Sequence, residues 1–407
     1  MAVINSNRGV IVLQNIVTKI PKALWIICFA HGVTDLSSGA LFVALPFFKA
    51  KFALSYAEIG VIALMQNLTS SVSQPLFGYF SDRSPRPWLM PAGCLISGVG
   101  MLASLWAPYY YWVLLFTAIT GLGMAAFHPE AAKAANRLSG KAKGKGISVF
   151  SVGGNAGFAL GSLLLAALLS GGESWKLYLY VIPAMLIALP LIRLAFSLSA
   201  PVLKTHSNLV SLKASISWPL VALLGMVLVR ATVASGISTF VPLYYISYLH
   251  GSEVYAHSLL TVYLSAGAVG TLFGGIMSDR YGSKRIMLLS TLPVSLLLFL
   301  FPIAGNIGAF FVLALANVLL AATFTSSLVL AQRLMPNNVG MASGLTIGLS
   351  IGLGAMGVLS LGQVADVWGM PIIFTILACL PVVGFILTLF VEEPNDGPVE
   401  ALAEVSK

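Results

Sequence analysis

Stretches of about 20 apolar residues follow one another along almost the whole chain, and each is long enough to cross a bilayer as a helix. The breaks between them are short and hold most of the charge. Lipid offers no water to backbone amides, so a spanning segment must satisfy its own, and a helix does this within one segment. Charged residues are 9% of the 407 and hydrophobic ones 58%, against about a quarter charged in a soluble domain. No water-soluble core buries that much apolar surface, so the chain reads as an all-α membrane protein.

Twelve spans are expected, at 24–48, 55–80, 88–107, 110–135, 146–170, 176–198, 217–248, 255–278, 286–304, 307–334, 340–363 and 371–391. The first carries Asp35 and lacks a small-residue cleavage site, so it is read as a retained helix and not as a signal peptide. Positive charge clusters after spans 2, 4 and 8, as Arg83 and Arg86, as Lys133, Arg137, Lys141, Lys143 and Lys145, and as Arg280, Lys284 and Arg285. Lys19, Lys22, Lys204 and Lys213 fall on the same side, and only Lys49, Lys51 and Lys176 on the other. The positive-inside bias then puts both termini in the cytoplasm, with the chain in the inner or plasma membrane. It also accounts for the net charge of +9 without a nucleic-acid partner. Cys28, Cys94 and Cys379 all lie in apolar runs, which suits packing and not a disulfide frame or a metal site.

The chain repeats itself. "GYFSDRSPRPW" from Gly78 matches "GIMSDRYGSKR" from Gly275, about half the chain away. Nearly the same offset relates "ALPFF" at Pro46 to "FVPLYY" at Pro242, and "AANRL" at Arg137 to "LAQRL" at Arg333. Two six-helix halves in parallel repeat follow, as in major facilitator transporters. The expected divisions are a cytoplasmic segment 1–23, a first half 24–198, a cytoplasmic linker 199–216, a second half 217–391 and a cytoplasmic tail 392–407.

The duplicated element, with Gly78, Asp82, Arg83 and Arg86 in one copy and Gly275, Asp279, Arg280 and Lys284 in the other, resembles the signature loop of the major facilitator superfamily. The second copy keeps that loop's glycine as Gly282, whereas the first has Pro85. The resemblance implies twelve transmembrane helices in two pseudo-symmetric halves, and a gate in which each Asp faces a helix N-terminus in the other half. There the helix dipole and free amides stabilise a carboxylate. Asp82 would latch helix 11 and Asp279 helix 5. The plainer alternative is that these are solvated loop charges. Further motifs narrow the likeness. "FHPEAAKAANRLSG", "SVGGNAGFALGSLLLA", "LAQRLMPNNVGMASGL" and "GQVAD" together resemble the fosmidomycin resistance protein family of drug exporters, over about residues 24 to 391. That resemblance implies proton-coupled efflux of a small phosphonate antibiotic.

Ionisable groups inside a bilayer are costly and usually mark function. His31 and Asp35 share one face of helix 1 at i, i+4. Asp35 lies about 13 residues in, roughly 20 Å along the helix, so the pair is the first choice for proton coupling. A structural polar cluster is the alternative. Arg230 on helix 7 lies within two residues of the repeat position of Asp35 and at a similar depth. Its two candidate roles are to neutralise Asp35 and to hold an anionic substrate through a bidentate contact, and the two can apply in turn. In "FHPEAAK", Pro129 removes a helix hydrogen bond. His128 points about 200° round the helix from Glu130, and is a candidate for substrate binding or proton relay. Glu130 shares a face with Lys133 and Arg137, which suits a gating pair, and is carried also as a proton-coupling candidate. Gln66, Tyr244 and Tyr245 are candidate substrate-lining residues. Asp366, near the outer end of helix 11, is a second protonation candidate, an outer gate or an ordinary interfacial acid. Gly153, Gly157 and Gly161, and Gly340, Gly344, Gly348 and Gly352, form small-residue stripes that let helices approach closely, expected here between the two halves.

No phosphate-binding loop is present, so ATP does not drive the chain directly, and no catalytic triad or metal-ligand spacing stands out. The expectation is therefore a monomeric proton-coupled antiporter, not an enzyme, powered by the proton gradient and without a cofactor or metal. Its partners are protons, the lipid bilayer and a small, anionic substrate. Uptake or exchange of a small anionic metabolite on the same fold is the rival reading.

Overall fold

A computed structural model describes residues 20–54, 56–84, 86–170, 173–198, 217–249 and 252–394. Most of the expected N-terminal segment, the linker, most of the tail and Pro85 lie outside the described residues. The first six helices are α1 (Lys22–Phe52), α2 (Tyr56–Arg83), α3 (Leu89–Trp106), α4 (Tyr110–Leu138), α5 (Lys143–Ser170) and α6 (Ile182–Leu198). The second six are α7 (Trp218–Leu243), α8 (Glu253–Tyr281), α9 (Ser283–Leu300), α10 (Gly305–Leu334), α11 (Val339–Trp368) and α12 (Pro371–Leu389). The expected spans differ mainly at their ends. The sixth opens as a 3-10 segment, Ser174–Val181, and the seventh continues past Leu243 as a π-helical turn, Tyr244–Tyr248. α4 remains one helix through Pro129.

Among the described residues, eleven helical spans are long and apolar enough to cross a membrane; α2 is not one of them. Its composition explains why, and the structure shows how it is accommodated. Gln66, Ser70, Gln74 and Ser81 are buried against the rest of the protein, while Leu64, Leu68, Val72, Leu76 and Phe80, stepping by four, lie exposed on the opposite face. The helix is thus amphipathic with its polar side inward, the inverse of a soluble helix.

In the first half α1 packs on α5, and α4 on both α2 and α3; in the second half α7 packs on α11 and α12, and α10 on α8 and α9. The halves meet chiefly through α2 against α11 and α5 against α8. The two glycine stripes serve different contacts. The α11 stripe faces the other half, where a Cβ on Gly344 would run into the backbone at Gln74. The α5 stripe does not. Gly153, Gly157 and Gly161 face the backbone of Cys28, Gly32 and Leu36 on α1 of their own half. Spacing shows that a helix has a close neighbour and does not say which one.

Candidate functional site

The site starts from α1. His31 and Asp35, one turn apart, bring Nε2 and Oδ2 to 3.2 Å. From α4, His128 places its Nε2 3.1 Å from the other carboxylate oxygen, Oδ1. Both imidazoles are buried. The His31 ring stacks on Phe150 at 3.9 Å, and its Nδ1 donates to the Phe150 carbonyl at 2.7 Å. α5 makes room for the group at Gly154, where a Cβ would meet both the His31 ring and the Asp35 carboxylate. The "FHPE" and "SVGGN" elements therefore build one structure. His128 supplies a partner, Gly153 and Gly154 let α5 come close to α1, and Asn155 lines the adjoining cavity.

This arrangement constrains where protons sit. A carbonyl only accepts, so Nδ1 of His31 carries hydrogen. In the neutral ring Nε2 would then turn a lone pair toward a carboxylate oxygen 3.2 Å away. Attraction requires one more proton, carried by the imidazole or the acid. His128 can donate from Nε2 as a neutral ring, and its Nδ1 has no hydrogen-bond partner among the described residues. The cluster thus has a place for one exchangeable proton. The ligand atoms of the three residues also lie within 4.8 Å of one another, which would suit a divalent cation by distance.

The cluster faces a cavity of about 320 Å³. Gln66, Asn67 and Ser70 of α2 and Ser151 and Asn155 of α5 give it polar wall in the first half; Phe324 of α10 and Ile347 and Ser350 of α11 close it from the second. It extends toward Leu45 and Ala63, away from the end that carries the duplicated motif.

Arg230 approaches from α7, beneath the same wall. Its Nη2 donates to Ser350 Oγ at 2.7 Å, and its guanidinium lies 4.9 Å from the centre of the Phe324 ring. It is 8% exposed, and its Nε has no hydrogen-bond partner among the described residues. Among the described residues no carboxylate pairs with it. Of the two roles expected for Arg230, pairing with Asp35 is not made in the state described, where both oxygens of Asp35 face imidazoles.

At the motif end each aspartate meets a helix N-terminus of the other half. Asp82 accepts from the Gly340 and Met341 amides of α11 at 3.0 and 2.9 Å. Asp279 accepts from the Gly144 and Lys145 amides of α5 at 2.7 and 2.8 Å. Gly78 and Gly275 sit where a Cβ would strike the backbone at Gly340 and Gly144. Gly282 takes a φ of 88° to end α8, a conformation that only glycine adopts freely. Between the latches, Asn136 Nδ2 donates to Gln332 Oε1, and Gln332 Nε2 donates to Ser343 Oγ at 2.8 Å. Arg83 lies exposed over the Tyr79 ring at 3.4 Å, Arg280 over Tyr281 at 5.2 Å, and Arg86 is exposed. Lys284 Nζ donates to the Leu389 carbonyl, while its amide and that of Ser283 are capped by Glu393, which also pairs with Arg333.

Other sequence candidates fall elsewhere. Glu130 pairs with Lys133 at 2.7 Å, and Lys133 with Asp82 at 3.4 Å. Glu130 thus belongs to the latch region and is not among the residues lining the cavity, in contrast to its candidacy for proton coupling. Gln66 lines the cavity, with its Nε2 3.8 Å from Met124 Sδ. Tyr244 and Tyr245 join an aromatic cluster with Tyr248, Tyr255, Phe301 and Phe374 and do not line the cavity. Asp366 is exposed near the end of α11. Sequence reasoning missed the pairing of Asp35 with His128, the clearing at Gly154, and Phe150, Ser350 and Glu393. The joined Gly-Gly of "SVGGN" was the one available signal for the clearing.

The comparisons agree with this architecture. The chain is 32% identical over 389 residues to the MFS-type transporter YfnC of Bacillus subtilis (strain 168), covering 93% of this chain and 94% of that one. It is 31% identical over 376 residues to the fosmidomycin resistance protein of Escherichia coli (strain K12), covering 90% and 92%. Among solved structures, FucP in the outward conformation superposes with a TM-score of 0.71 at 17% identity, over 91% of this chain and 99% of that one. The proton:xylose symporter XylE superposes with a TM-score of 0.73 at 15% identity, over 91% and 95%. The family model of the Major Facilitator Superfamily matches residues 27–248 and 223–406. The relatives and the fold are those of transporters, and the chain belongs to the major facilitator superfamily.

Proposed function

We propose that this chain is a proton-coupled antiporter of the cytoplasmic (inner or plasma) membrane that exports small anionic molecules, fosmidomycin-like phosphonates first among them, by alternating access. The observation that carries this reading is that both charged groups adjoin one cavity, the first by lining it and the second through Phe324 and Ser350, which line it. A buried His31–Asp35–His128 cluster with a place for one proton lies on one half. On the other lies a buried guanidinium without a counter-ion among the described residues. Asp35 with His31 carries the proton, His128 relays it, and Arg230 meets the anion. Asp82 and Asp279 hold the cytoplasmic end shut in the state described, and both termini lie in the cytoplasm. The name of the 31%-identical relative supports efflux. The chain works as a monomer with no cofactor beyond the proton gradient.

One observation favours the rival, uptake of an anion together with the proton. Asp35 is already compensated by two imidazoles, while Arg230 is not. A proton added to the cluster makes the cavity more positive and draws an anion in, whereas antiport needs the two to exclude each other. Purified protein in liposomes with an internal pH dye separates the cases. Under an imposed gradient, added fosmidomycin should move protons opposite to the drug, and the signal should vanish in Asp35→Asn and Arg230→Ala. Proton and drug moving together would favour symport, and drug accumulation that persists in Asp35→Asn would refute the proton assignment.

A further inference from the structure

Three side chains able to ligate a metal line the cavity together. His31 Nε2 stands 3.2 Å from Asp35 Oδ2, and His128 Nε2 stands 3.1 Å from Asp35 Oδ1. One ligand atom from each residue falls within 4.8 Å of the others. A tetrahedral ion with bonds of about 2.0–2.1 Å holds its ligand atoms about 3.3–3.4 Å apart, close to the two nitrogen–oxygen separations. The two nitrogens face opposite oxygens of one carboxylate. A turn of Asp35 about its broad terminal torsion presents one oxygen to an ion shared with both rings. The third ligand comes from another helix, 93 residues from Asp35, so no local spacing in the sequence betrays the group.

The surroundings prepare the same atoms. A metal takes an imidazole nitrogen that carries no hydrogen, and a ligating histidine commonly donates its other N–H to a carbonyl. His31 does this already. Its Nδ1 donates to the Phe150 carbonyl at 2.7 Å, which turns the Nε2 lone pair toward Asp35. His128 Nδ1 has no hydrogen-bond partner among the described residues, so that ring can carry its hydrogen there and turn an Nε2 lone pair inward as well. Gly154 leaves the ligand atoms uncovered on the α5 side, where a Cβ would come 2.6 Å from His31 Nε2 and 2.8 Å from Asp35 Oδ2. Electron-rich atoms held this close need a cation among them. A proton is one answer, and a dication is another.

We propose that His31, Asp35 and His128 form an inhibitory site for a transition-metal dication, Zn2+ the best fitted. Two imidazoles and one carboxylate suit Zn2+ and its neighbours in the first transition row, whereas Mg2+ and Ca2+ take oxygen ligands. Three protein ligands leave a fourth position for water, on the cavity side. The cavity extends away from the latched end, so the ion arrives from the outer side. The binding stands on this geometry alone; the inhibition rests on the reading above that the cluster takes part in transport.

The test is calorimetric titration of detergent-purified, tag-free protein with Zn2+, Mg2+ and Ca2+, together with the visible absorption of Co2+ added as a spectroscopic substitute. Wild type is expected to bind a single Zn2+ per chain, to ignore Mg2+ and Ca2+, and to give the Co2+ bands of four-coordinate nitrogen and oxygen ligation. His128→Ala and Asp35→Asn should weaken Zn2+ binding by more than the roughly 10- to 100-fold that loss of an outer-shell partner costs, while Glu130→Gln should bind as wild type does. Zn2+ binding that survives in both cluster variants places the ion elsewhere and overturns the site. So does wild-type protein that gives no four-coordinate Co2+ spectrum, a result that depends on no variant folding. In the liposome assay, Zn2+ added outside should halt fosmidomycin-driven proton movement and a chelator should restore it; undiminished movement with the site filled overturns the inhibition. Absence of such movement even without metal overturns the transport reading and with it the inhibition, while the titration and the Co2+ spectrum still decide the site.

Discussion

Removing one charge at the motif end should open it, and the size of the effect follows from the latch geometry. Asp82 accepts two amide hydrogens at 3.0 and 2.9 Å, and its side chain is 4% exposed. Hydrogen bonds to a buried charged group contribute about 1.5–3 kcal/mol each. The helix N-terminus adds about 0.3–1 kcal/mol. Asn keeps one acceptor oxygen and loses the charge, so Asp82→Asn should shift the equilibrium toward opening by about 2–3 kcal/mol, or about 30- to 150-fold. The Lys133 contact adds little, because that side chain is partly solvated and has Glu130 as a second partner. Asp279 latches a different pair of helices, so Asp82→Asn/Asp279→Asn should show the sum of the two shifts. The assay is a spin-label distance across the gate, between Ser84→Cys beyond α2 and Asn337→Cys before α11, both exposed. The exposed Cys379 is first replaced by Ser. A population with this end parted should appear in Asp82→Asn and dominate in the double variant. Distance distributions that stay unchanged in both would refute the latch.

Glu130→Gln should leave substrate-driven proton movement near the wild-type level while His128→Ala abolishes it, because His128 touches Asp35 whereas Glu130 pairs with Lys133; the liposome dye assay ranks them, and the opposite order would reverse the assignment. Cross-linking Asn136→Cys to Gln332→Cys with a short bifunctional thiol reagent should arrest transport, and reduction should restore it; undiminished transport after complete cross-linking would show that this end need not part. Gly157→Ala puts a Cβ 2.0 Å from the Gly32 carbonyl oxygen. It should cost about 1–3 kcal/mol through overpacking of α1 on α5, seen as a lower Tm, and an unchanged Tm would mean that the two helices part freely.

Much of this was legible from residues alone, for reasons that also mark the limit. Apolar runs report helices because lipid permits little else, and a repeated "SDR" at one offset reports two halves. The latches were readable because each is a carboxylate whose target is a generic feature, the start of a helix. The Asp35 site was half readable. Its depth follows from counting residues along α1, and that count led to Arg230, at the same depth in the other half. Depth is one coordinate of two. The angle about the membrane normal decides who meets whom, and it is set by helix packing that a single sequence does not display. It brought His128 of α4 to Asp35 and set Arg230 against Ser350. The α5 glycines were misread for the same reason. Glu393 looked like part of a charged tail, since nothing local distinguishes an acid that caps α9 from one in solvent.

The duplication bears differently on the two ends of the molecule. Asn136 and Gln332 hold corresponding places in "AANRL" and "LAQRL", and they bond to each other. Residues related by a pseudo-two-fold can touch only where the axis passes, so at the closed end the axis runs between α4 and α10. Around it the latches are nearly interchangeable, with Asp82 on α11 answered by Asp279 on α5. One turn or two deeper the likeness is gone. The first half carries His31, Asp35 and His128; the second carries Arg230 with Ser350. A symmetric gate can divide its free energy between two equal sites, and an asymmetric cavity can divide its chemistry, proton on one wall and anion on the other. On that division, changes at the latches should move the balance of open and closed forms with little effect on intrinsic affinity. Changes in the cavity should do the reverse.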